Sequence, residues 1–171
     1  MSKVVFVIAP KMFQDFELSE PKEVLESKGV ECLVASKTKG ACFGGLGSTV
    51  HAALSLDELS STDSSFDGIV FVGGGGASIY FDDKKTLALV KNFFESGKVL
   101  AAICIAPSIF ANAGVLSGKK ATSFPSEQKN LSSKGAHFTG AGVEVDGKII
   151  TASGPSHAKR FGQEIAKALG K

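Results

Sequence analysis

Short, almost purely apolar runs separated by helical segments are the feature of this sequence that most limits its fold. Lys3–Ala9 (KVVFVIA) is typical, because it has the length of a strand and carries apolar residues on both faces, as a strand buried on both sides does. The other predicted strands are Val30–Ser36, Asp67–Val72, Val99–Ile103, Ala121–Phe124 and Lys148–Ala152. Strands that alternate with helices favour a parallel sheet, so we predict an α/β fold with a mostly parallel central sheet and helices on both faces.

The helical segments carry glycine stop signals. The predicted helices are Gln14–Lys28, Asp82–Glu95, Ala106–Ala113 and Pro155–Leu169. Gly29, Gly97 and Gly114 end the first three, and Pro21 predicts a break or restart inside the first. The serine-rich stretch Ser55–Phe66 is predicted to be a surface connection. Since 171 residues suit one full-sized core and no long linker or repeat interrupts them, we predict a single domain over residues 1–171.

Charge and hydropathy exclude several partners. The net charge of +2 is close to neutral, and Arg160 is the only arginine, so we expect no nucleic acid and little binding of anions by arginine. No apolar run approaches the roughly 20 residues of a membrane span, which predicts no membrane partner. Met1–Pro10 lacks the ordered regions of a signal peptide, and a cytoplasmic location is therefore expected.

The cysteines and histidines show no metal-ligand spacing. The number of cysteines is odd and no CxxC motif occurs, which argues against a disulfide framework and against structural zinc. The residues are Cys32, Cys42, Cys104, His51, His137 and His157. We expect no metal and no organic cofactor.

A run of four glycines, Gly73–Gly76, follows the predicted strand Asp67–Val72. The P-loop pattern is missing, and the dinucleotide pattern GxGxxG fails because Ser78 stands where the last glycine would be. The run is more typical of a tight turn whose bare backbone approaches another group closely. An exposed N–H in such a turn can donate to an oxyanion.

Cys104 follows a buried strand directly and carries the strongest chemical signal. Ala102 and Ala106 flank it at minus two and plus two, as small residues flank the nucleophile of a strand-to-helix elbow. Pro107 suits the first turn of a helix, and a helix N-terminus is expected to lower the pKa of a nearby thiol. The alternative is a buried structural cysteine, which fits Cys32 inside its apolar strand better.

Together these motifs resemble those of the DJ-one/PfpI superfamily. The resemblance covers nearly the whole chain and implies a flavodoxin-like three-layer sandwich with a nucleophile elbow, a fold also seen in class I glutamine amidotransferases. The motifs that carry it are Phe13–Glu17, Val72–Gly74, Ala101–Cys104, Ala113–Leu116 with Gly118, and Gly154–Pro155.

The resemblance implies roles for particular residues. Cys104 matches the oxidisable nucleophilic cysteine, and Glu17 matches a glutamate that contacts it. An ionised carboxylate would raise the pKa of the thiol, so Glu17 is expected to be protonated and to donate a hydrogen bond to the sulfur. The backbone amides of Gly74 and Ile105 match the oxyanion-binding groups. The residues alone favour the alternative that Glu17 is a solvated charge near a helix start.

Further positions are implied to line a pocket next to Cys104. Gly73 belongs to the glycine turn, and Gly154 with Pro155 matches a loop at the pocket. His157 follows that loop and could approach the pocket, with a surface histidine as the alternative.

The chain departs from the family pattern at three positions. Proteases of the PfpI type have a histidine directly after the cysteine, and this chain has Ile105 at that position. Those proteases also take a glutamate from a neighbouring subunit, and this chain has Ser78 at the matching position. The DJ-one branch has a pocket histidine ahead of a proline, where this chain has Phe124 ahead of Pro125. No histidine therefore stands at either family position.

These observations leave two main hypotheses. In the first, Cys104 is the nucleophile of a glyoxalase-like or deglycase-like enzyme that acts on small reactive carbonyls. In the second, Cys104 is a thiol sensor that an oxidant modifies. A protease or amidase of the PfpI type is the third alternative, disfavoured by Ile105 and Ser78. The resemblance also implies a homodimer or a higher homo-oligomer.

Overall fold

The computed structural model describes residues 1–59 and 65–171. The strands are β1 (Lys3–Val7), β2 (Lys11–Phe13), β3 (Glu31–Ser36), β4 (Gly40–Gly44), β5 (Thr49–Ala52), β6 (Leu54–Ser55), β7 (Gly68–Phe71), β8 (Val99–Ile103), β9 (Lys120–Ala121), β10 (His137–Phe138), β11 (Val143–Asp146) and β12 (Ile149–Ala152). The α-helices are α1 (Asp15–Ser27), α2 (Lys84–Glu95), α3 (Pro107–Asn112), α4 (Gln128–Ser133) and α5 (Ala158–Ala168).

The central sheet has the strand order β11-β12-β8-β7-β1-β3-β6. All neighbouring pairs in it are parallel except β11 and β12, which are antiparallel. In the middle of the sheet, Val5 pairs with Leu33 on one side and with Ile69 on the other. The carboxyl ends of β1, β7 and β8 therefore meet at one edge, where ligands bind in such folds.

Both faces of the sheet are covered by hydrophobic core, because successive side chains of a strand point to opposite sides. Val5 and Val7 lie in the core cluster that α2 and α3 complete with Val90, Phe93, Ile109 and Phe110. The opposite face, with Val4 and Phe6, packs against α1 and α5 through Leu18, Leu25, Phe161 and Ile165. This arrangement confirms the predicted three-layer α/β sandwich.

Helix α1 continues through Pro21 without the predicted break. Proline lacks the N–H that would bond to the carbonyl of Glu17, four residues earlier, but the helix keeps its bonds on either side. Gln14 caps the N-terminus, where its side chain accepts a hydrogen bond from the N–H of Glu17. The predicted bounds Gln14–Lys28 were thus correct to within one residue at each end.

Other elements differ from the predictions. Only Lys120–Ala121 of the predicted strand Ala121–Phe124 is a strand, and it pairs with β10 in a separate two-stranded sheet. A small sheet of β2, β4 and β5 was not predicted. The predicted connection Ser55–Phe66 begins in β6 and includes buried Leu59 and Phe66, while residues 60–64 lie outside the described residues. In the part of the chain that the structure describes, no helix combines the length and hydropathy needed to traverse a bilayer.

Candidate active site

Cys104 lies on a sharp turn between β8 and α3. Its φ of 65° is in the left-handed region, which residues other than glycine rarely occupy. The N–H of Cys104 donates to the carbonyl of Ala152 at 2.9 Å, and its own carbonyl accepts from the N–H of Phe124 at 2.8 Å. The flanking Ala102 and Ala106 are completely buried, so larger side chains would not fit there. The geometry is that of the predicted nucleophile elbow.

Glu17, in the first turn of α1, is a fully buried carboxyl group beside this turn. Its Oε2 accepts a hydrogen bond from the N–H of Gly73 at 2.9 Å. The Cys104 thiol is close enough to affect the pKa of this carboxyl group, and Oε1 has no hydrogen-bond partner among the described residues. The carboxyl group and the thiol therefore form a pair that makes few hydrogen bonds to other groups.

Gly73 sits between the two members of this pair. A Cβ at this position would lie 2.5 Å from the Cβ of Cys104 and 2.5 Å from Oε2 of Glu17. Any side chain there would push the sulfur and the carboxyl group apart. The requirement is one of space, and it explains why the strand ends in glycine.

Two backbone N–H groups point to the sulfur of Cys104. They belong to Gly74 and Ile105, and their hydrogen bonds lower the pKa of the thiol. Gly74 has a φ of 91°, and a Cβ there would lie 2.5 Å from the carbonyl oxygen of Met12 and from the nitrogen of Gln14. The N–H of Gln14 in turn donates to the carbonyl of Gly73 at 3.0 Å, which ties the glycine turn to the start of α1.

The electrostatics of the pair correct one prediction. Burial raises the pKa of Glu17 to about 7, against the lowering effect of the Gly73 and Cys104 hydrogen bonds. Burial, followed by the negative charge of Glu17, raises the pKa of Cys104 to about 12 despite the two N–H donors. The sequence predicted a lowered thiol pKa, and that direction was wrong. Helix α3 is only six residues long, and its dipole is outweighed by burial and by the carboxylate.

A cavity of about 450 Å³ lies beside the elbow. Its lining residues come from β10 and from the segments that follow β9, β10 and β12, and are Ser123, Phe124, Pro125, Gln128, Phe138, Gly140, Ser153, Gly154, Pro155 and Ser156. Gly154 and Pro155 were expected here from the sequence. Ser123, Gln128 and Phe138 were not, because they lie in or near elements of only two or three residues, which give no periodic signal.

The structure separates two other residues from this group. The ring of His157 packs against Gly142, where it occupies the space that a Cβ would need, and His157 is absent from the described lining of the cavity. Ser78 lies in a turn of 3₁₀-helix, where its hydroxyl donates to the carbonyl of Gly75 at 3.1 Å. Within residues 1–59 and 65–171, no three His, Cys, Asp or Glu side chains are grouped as a metal site requires.

The fold, the elbow and the buried glutamate define a class of cysteine proteins with this sandwich fold. The sequence model of the DJ-1/PfpI family matches residues 2–168. The chain belongs to this family.

Individual relatives are similar over nearly the whole of this chain. An uncharacterized protein of Methanocaldococcus jannaschii is 43% identical over 173 residues, covering 99% of this chain and 83% of the relative. A Thermococcus kodakarensis protein named as a deglycase is 34% identical, covering 96% of this chain and 98% of the relative. The crystal structure of a ThiJ/PfpI domain protein from Brachyspira murdochii superimposes with a TM-score of 0.94 at 32% identity, covering 98% of this chain and 96% of that one.

Proposed function

We propose that this protein is a cysteine-dependent enzyme that acts on small reactive α-ketoaldehydes or their adducts, in a glyoxalase-like or deglycase-like reaction. The observation that carries the proposal is the buried Glu17 carboxyl group, for which Cys104 is the one side chain among the described residues that affects its pKa. With a pKa of about 7, Glu17 gains and loses a proton in the neutral range, as a general acid–base group should. The deglycase name of the Thermococcus kodakarensis relative supports the same reaction class.

The proposed chemistry uses the residues that meet at the elbow. The Cys104 sulfur adds to the aldehyde carbon of a substrate such as methylglyoxal while Glu17 takes the thiol proton. The N–H groups of Gly74 and Ile105 stabilise the oxyanion, which then receives that proton. Glu17 next moves the hydrogen of the former aldehyde carbon, as a proton, to the neighbouring ketone carbon, while the proton of the new hydroxyl group passes to the ketone oxygen. Water hydrolyses the resulting thioester, so that lactate and the free thiol are released.

The test is lactate formation from methylglyoxal. We expect Cys104→Ala to reduce the rate to that of the uncatalysed reaction. Glu17→Gln, which keeps the shape but cannot exchange a proton, should lower kcat by about 100-fold or more.

A matched control comes from the other half-buried thiol. Burial raises the pKa of Cys32 to about 12, as it does for Cys104, but Cys32 lies in a strand and its sulfur donates only a weak bond to the carbonyl of Val30. Cys32→Ala should retain wild-type activity. Equal, background-level rates for wild type and Cys104→Ala would contradict the proposed enzyme.

A second candidate function is oxidation sensing by the same cysteine. It is favoured because Ile105 and Phe124 stand at the two positions where the family has histidines. Among the described residues, Glu17 is therefore the only acid–base side chain that interacts with the sulfur. Two equivalents of peroxide would convert the thiol to a sulfinate and release two molecules of water. A protonated Glu17 and the N–H of Gly74 would then donate to the new oxygen atoms.

Intact mass after mild peroxide treatment tests this second candidate. We expect wild-type protein to gain two oxygen atoms and Cys104→Ser to gain none at this position. If Cys104→Ser takes up oxygen to the same extent as wild type, Cys104 is not the sensor.

A further inference from the structure

We propose that the cavity beside Cys104 selects neutral aromatic α-ketoaldehydes, with Phe124 as the residue that determines this specificity. The inference rests on the proposed carbonyl chemistry of Cys104. It adds a substrate class to that chemistry and a side chain that recognises it.

The cavity is attached to the elbow on two sides. The N–H of Phe124 donates to the carbonyl of Cys104 at 2.8 Å, so one wall begins one hydrogen bond away from the reactive residue. The N–H of Cys104 donates to the carbonyl of Ala152 at 2.9 Å, and Ser153, the next residue along the chain, lies in the other wall. A molecule whose carbonyl group reaches the sulfur can therefore place the rest of its structure in this cavity.

The lining of the cavity is uncharged. None of the described residues that form it is Asp, Glu, Lys, Arg or His. Its polar side chains are the hydroxyl groups of Ser123, Ser153 and Ser156 and the amide of Gln128. A carboxylate or phosphate entering the cavity would lose hydration without gaining a counter-ion, which favours a neutral ligand.

The apolar part of the lining is aromatic. Phe124 is 46% exposed, a large fraction for a phenylalanine, and it shares the lining with Phe138 and with two prolines. An exposed ring beside a cavity of about 450 Å³ offers a surface on which an aromatic group can pack, and the volume lies in the range of small-molecule sites. The ring of Phe124 is thus accessible to a ligand while its backbone is fixed to Cys104.

Phenylglyoxal is the simplest substrate that fits these features. Addition of the sulfur to its aldehyde carbon, proton transfer through Glu17 to the ketone carbon and hydrolysis would convert phenylglyoxal and one water molecule into mandelate and a proton. The aldehyde carbon is oxidised to the carboxylate while the ketone carbon is reduced to the alcohol. The reaction therefore needs no external oxidant or reductant.

The kinetic test compares kcat/KM for phenylglyoxal, methylglyoxal and 4-carboxyphenylglyoxal. We expect phenylglyoxal to be preferred over methylglyoxal, which has no ring to pack in the cavity. It should also be preferred over 4-carboxyphenylglyoxal, which has the same ring with a charge added. Phe124→Ala should lower the ratio of phenylglyoxal to methylglyoxal by about fivefold. Phe94→Ala is the control, since Phe94 is a similarly exposed phenylalanine, 38% accessible, on α2 and outside the cavity.

A binding measurement separates the inference from the proposed enzyme. In the Cys104→Ala background, ligand-observed NMR titration with mandelamide and lactamide compares two neutral amides that differ only in the phenyl ring. Tighter binding of mandelamide that is lost in Phe124→Ala supports the cavity assignment, even if no substrate is turned over and the enzyme proposal fails. An unchanged ratio of kcat/KM in Phe124→Ala, or equal binding of the two amides, would overturn the inference.

Discussion

The pKa values of Cys104 and Glu17 depend on each other. With pKa values of about 7 and about 12, the pair holds a single proton over most of the neutral and alkaline range. That proton can lie on the sulfur or on the carboxyl group, and the nucleophilic thiolate is reached by transfer within the pair rather than by loss of the proton to water. The reactivity of the thiol should therefore depend on the ionisation of Glu17.

This predicts an unusual pH profile for alkylation of Cys104 by iodoacetamide. In wild type the rate should rise up to about pH 7 and then level off, because Glu17 becomes able to accept the thiol proton near that pH. In Glu17→Gln the rate should keep rising by about tenfold per pH unit up to pH 9, as for an isolated thiol below its pKa. Peptide mass spectrometry measures both rates.

Cys32 provides an internal reference in the same experiment. The pKa of Cys32 is also raised by burial to about 12, but without a buried carboxyl partner, so its alkylation should show no plateau. A wild-type Cys104 profile that continues to rise above pH 8 would contradict the shared-proton arrangement.

The same carboxyl group makes folding stability depend on pH. Its pKa of about 7 in the folded protein exceeds the ordinary value of 4.5, so the folded state binds the proton more tightly than the unfolded state does. The resulting stability is complete below pH 4.5 and is lost as the pH rises through 7, by about 3 kcal/mol in total. Urea unfolding at pH 5 and pH 8 should show this loss in wild type and little of it in Glu17→Gln.

Glu23→Gln is the control for this measurement, because Glu23 lies exposed on the same helix. It should keep the wild-type dependence on pH. If Glu17→Gln also loses about 3 kcal/mol between the two pH values, burial of Glu17 is not the cause.

Among the elements, the contact between α1 and α5 fixes the position of Glu17. Pro21 lies one turn after Glu17 in α1, and Gly162 of α5 packs directly against it. A Cβ at Gly162 would lie 2.7 Å from the Cα of Pro21 and 3.1 Å from the Cβ of Val24. Since the first of these atoms is backbone, the two helices would have to move apart.

We therefore predict that Gly162→Ala destabilises the protein by about 1–3 kcal/mol, although alanine is the better helix former. Because α1 carries Glu17, the plateau in the alkylation profile of Cys104 should also be shifted or weakened. Gln163→Ala, at the exposed neighbouring position of α5, should leave both properties unchanged. A stabilised Gly162→Ala variant would show that the helix contact tolerates a side chain.

Across the whole molecule, one aromatic cluster joins the two loops of the site. The ring of Phe71, at the end of β7, lies 6.4 Å from Tyr80 and 5.8 Å from Phe110 between ring centroids, both in edge-to-face geometry. Tyr80 ends the 3₁₀ turn that begins within the glycine run, and Phe110 belongs to the helix after the elbow. Packing of the core and placement of the site are therefore linked.

Phe71→Ala should cost about 3–5 kcal/mol in the free energy of unfolding, which is a large share of the stability of an ordinary domain. Urea denaturation measures this loss. Phe94→Ala, on the exposed side of α2, should change stability by no more than about 0.5 kcal/mol. A loss below about 1 kcal/mol for Phe71→Ala would mean that the cluster is not a main part of the core.

The accuracy of the sequence predictions followed the strength of the local pattern. The strands of the central sheet were found because runs such as Val99–Ile103 are apolar on both faces, and the elbow was found from its small flanking residues. β4 was missed because exposed residues and glycines interrupt it. The direction of the Cys104 pKa was wrong because the burial of the thiol and the charge of Glu17, a residue far away in the sequence, both raise it.

The two hydrogen bonds that attach the cavity walls to Cys104 involve backbone atoms only. Side chains on the Phe124 and Ser153 segments can therefore be exchanged without disturbing the sulfur, the carboxyl group or the amides around them. On the proposed function, we expect that substrate choice and thiol chemistry can be changed independently, both during evolution and in engineering. New specificities on this scaffold should be sought by varying the cavity segments and leaving the turn at Gly73 and Cys104 intact.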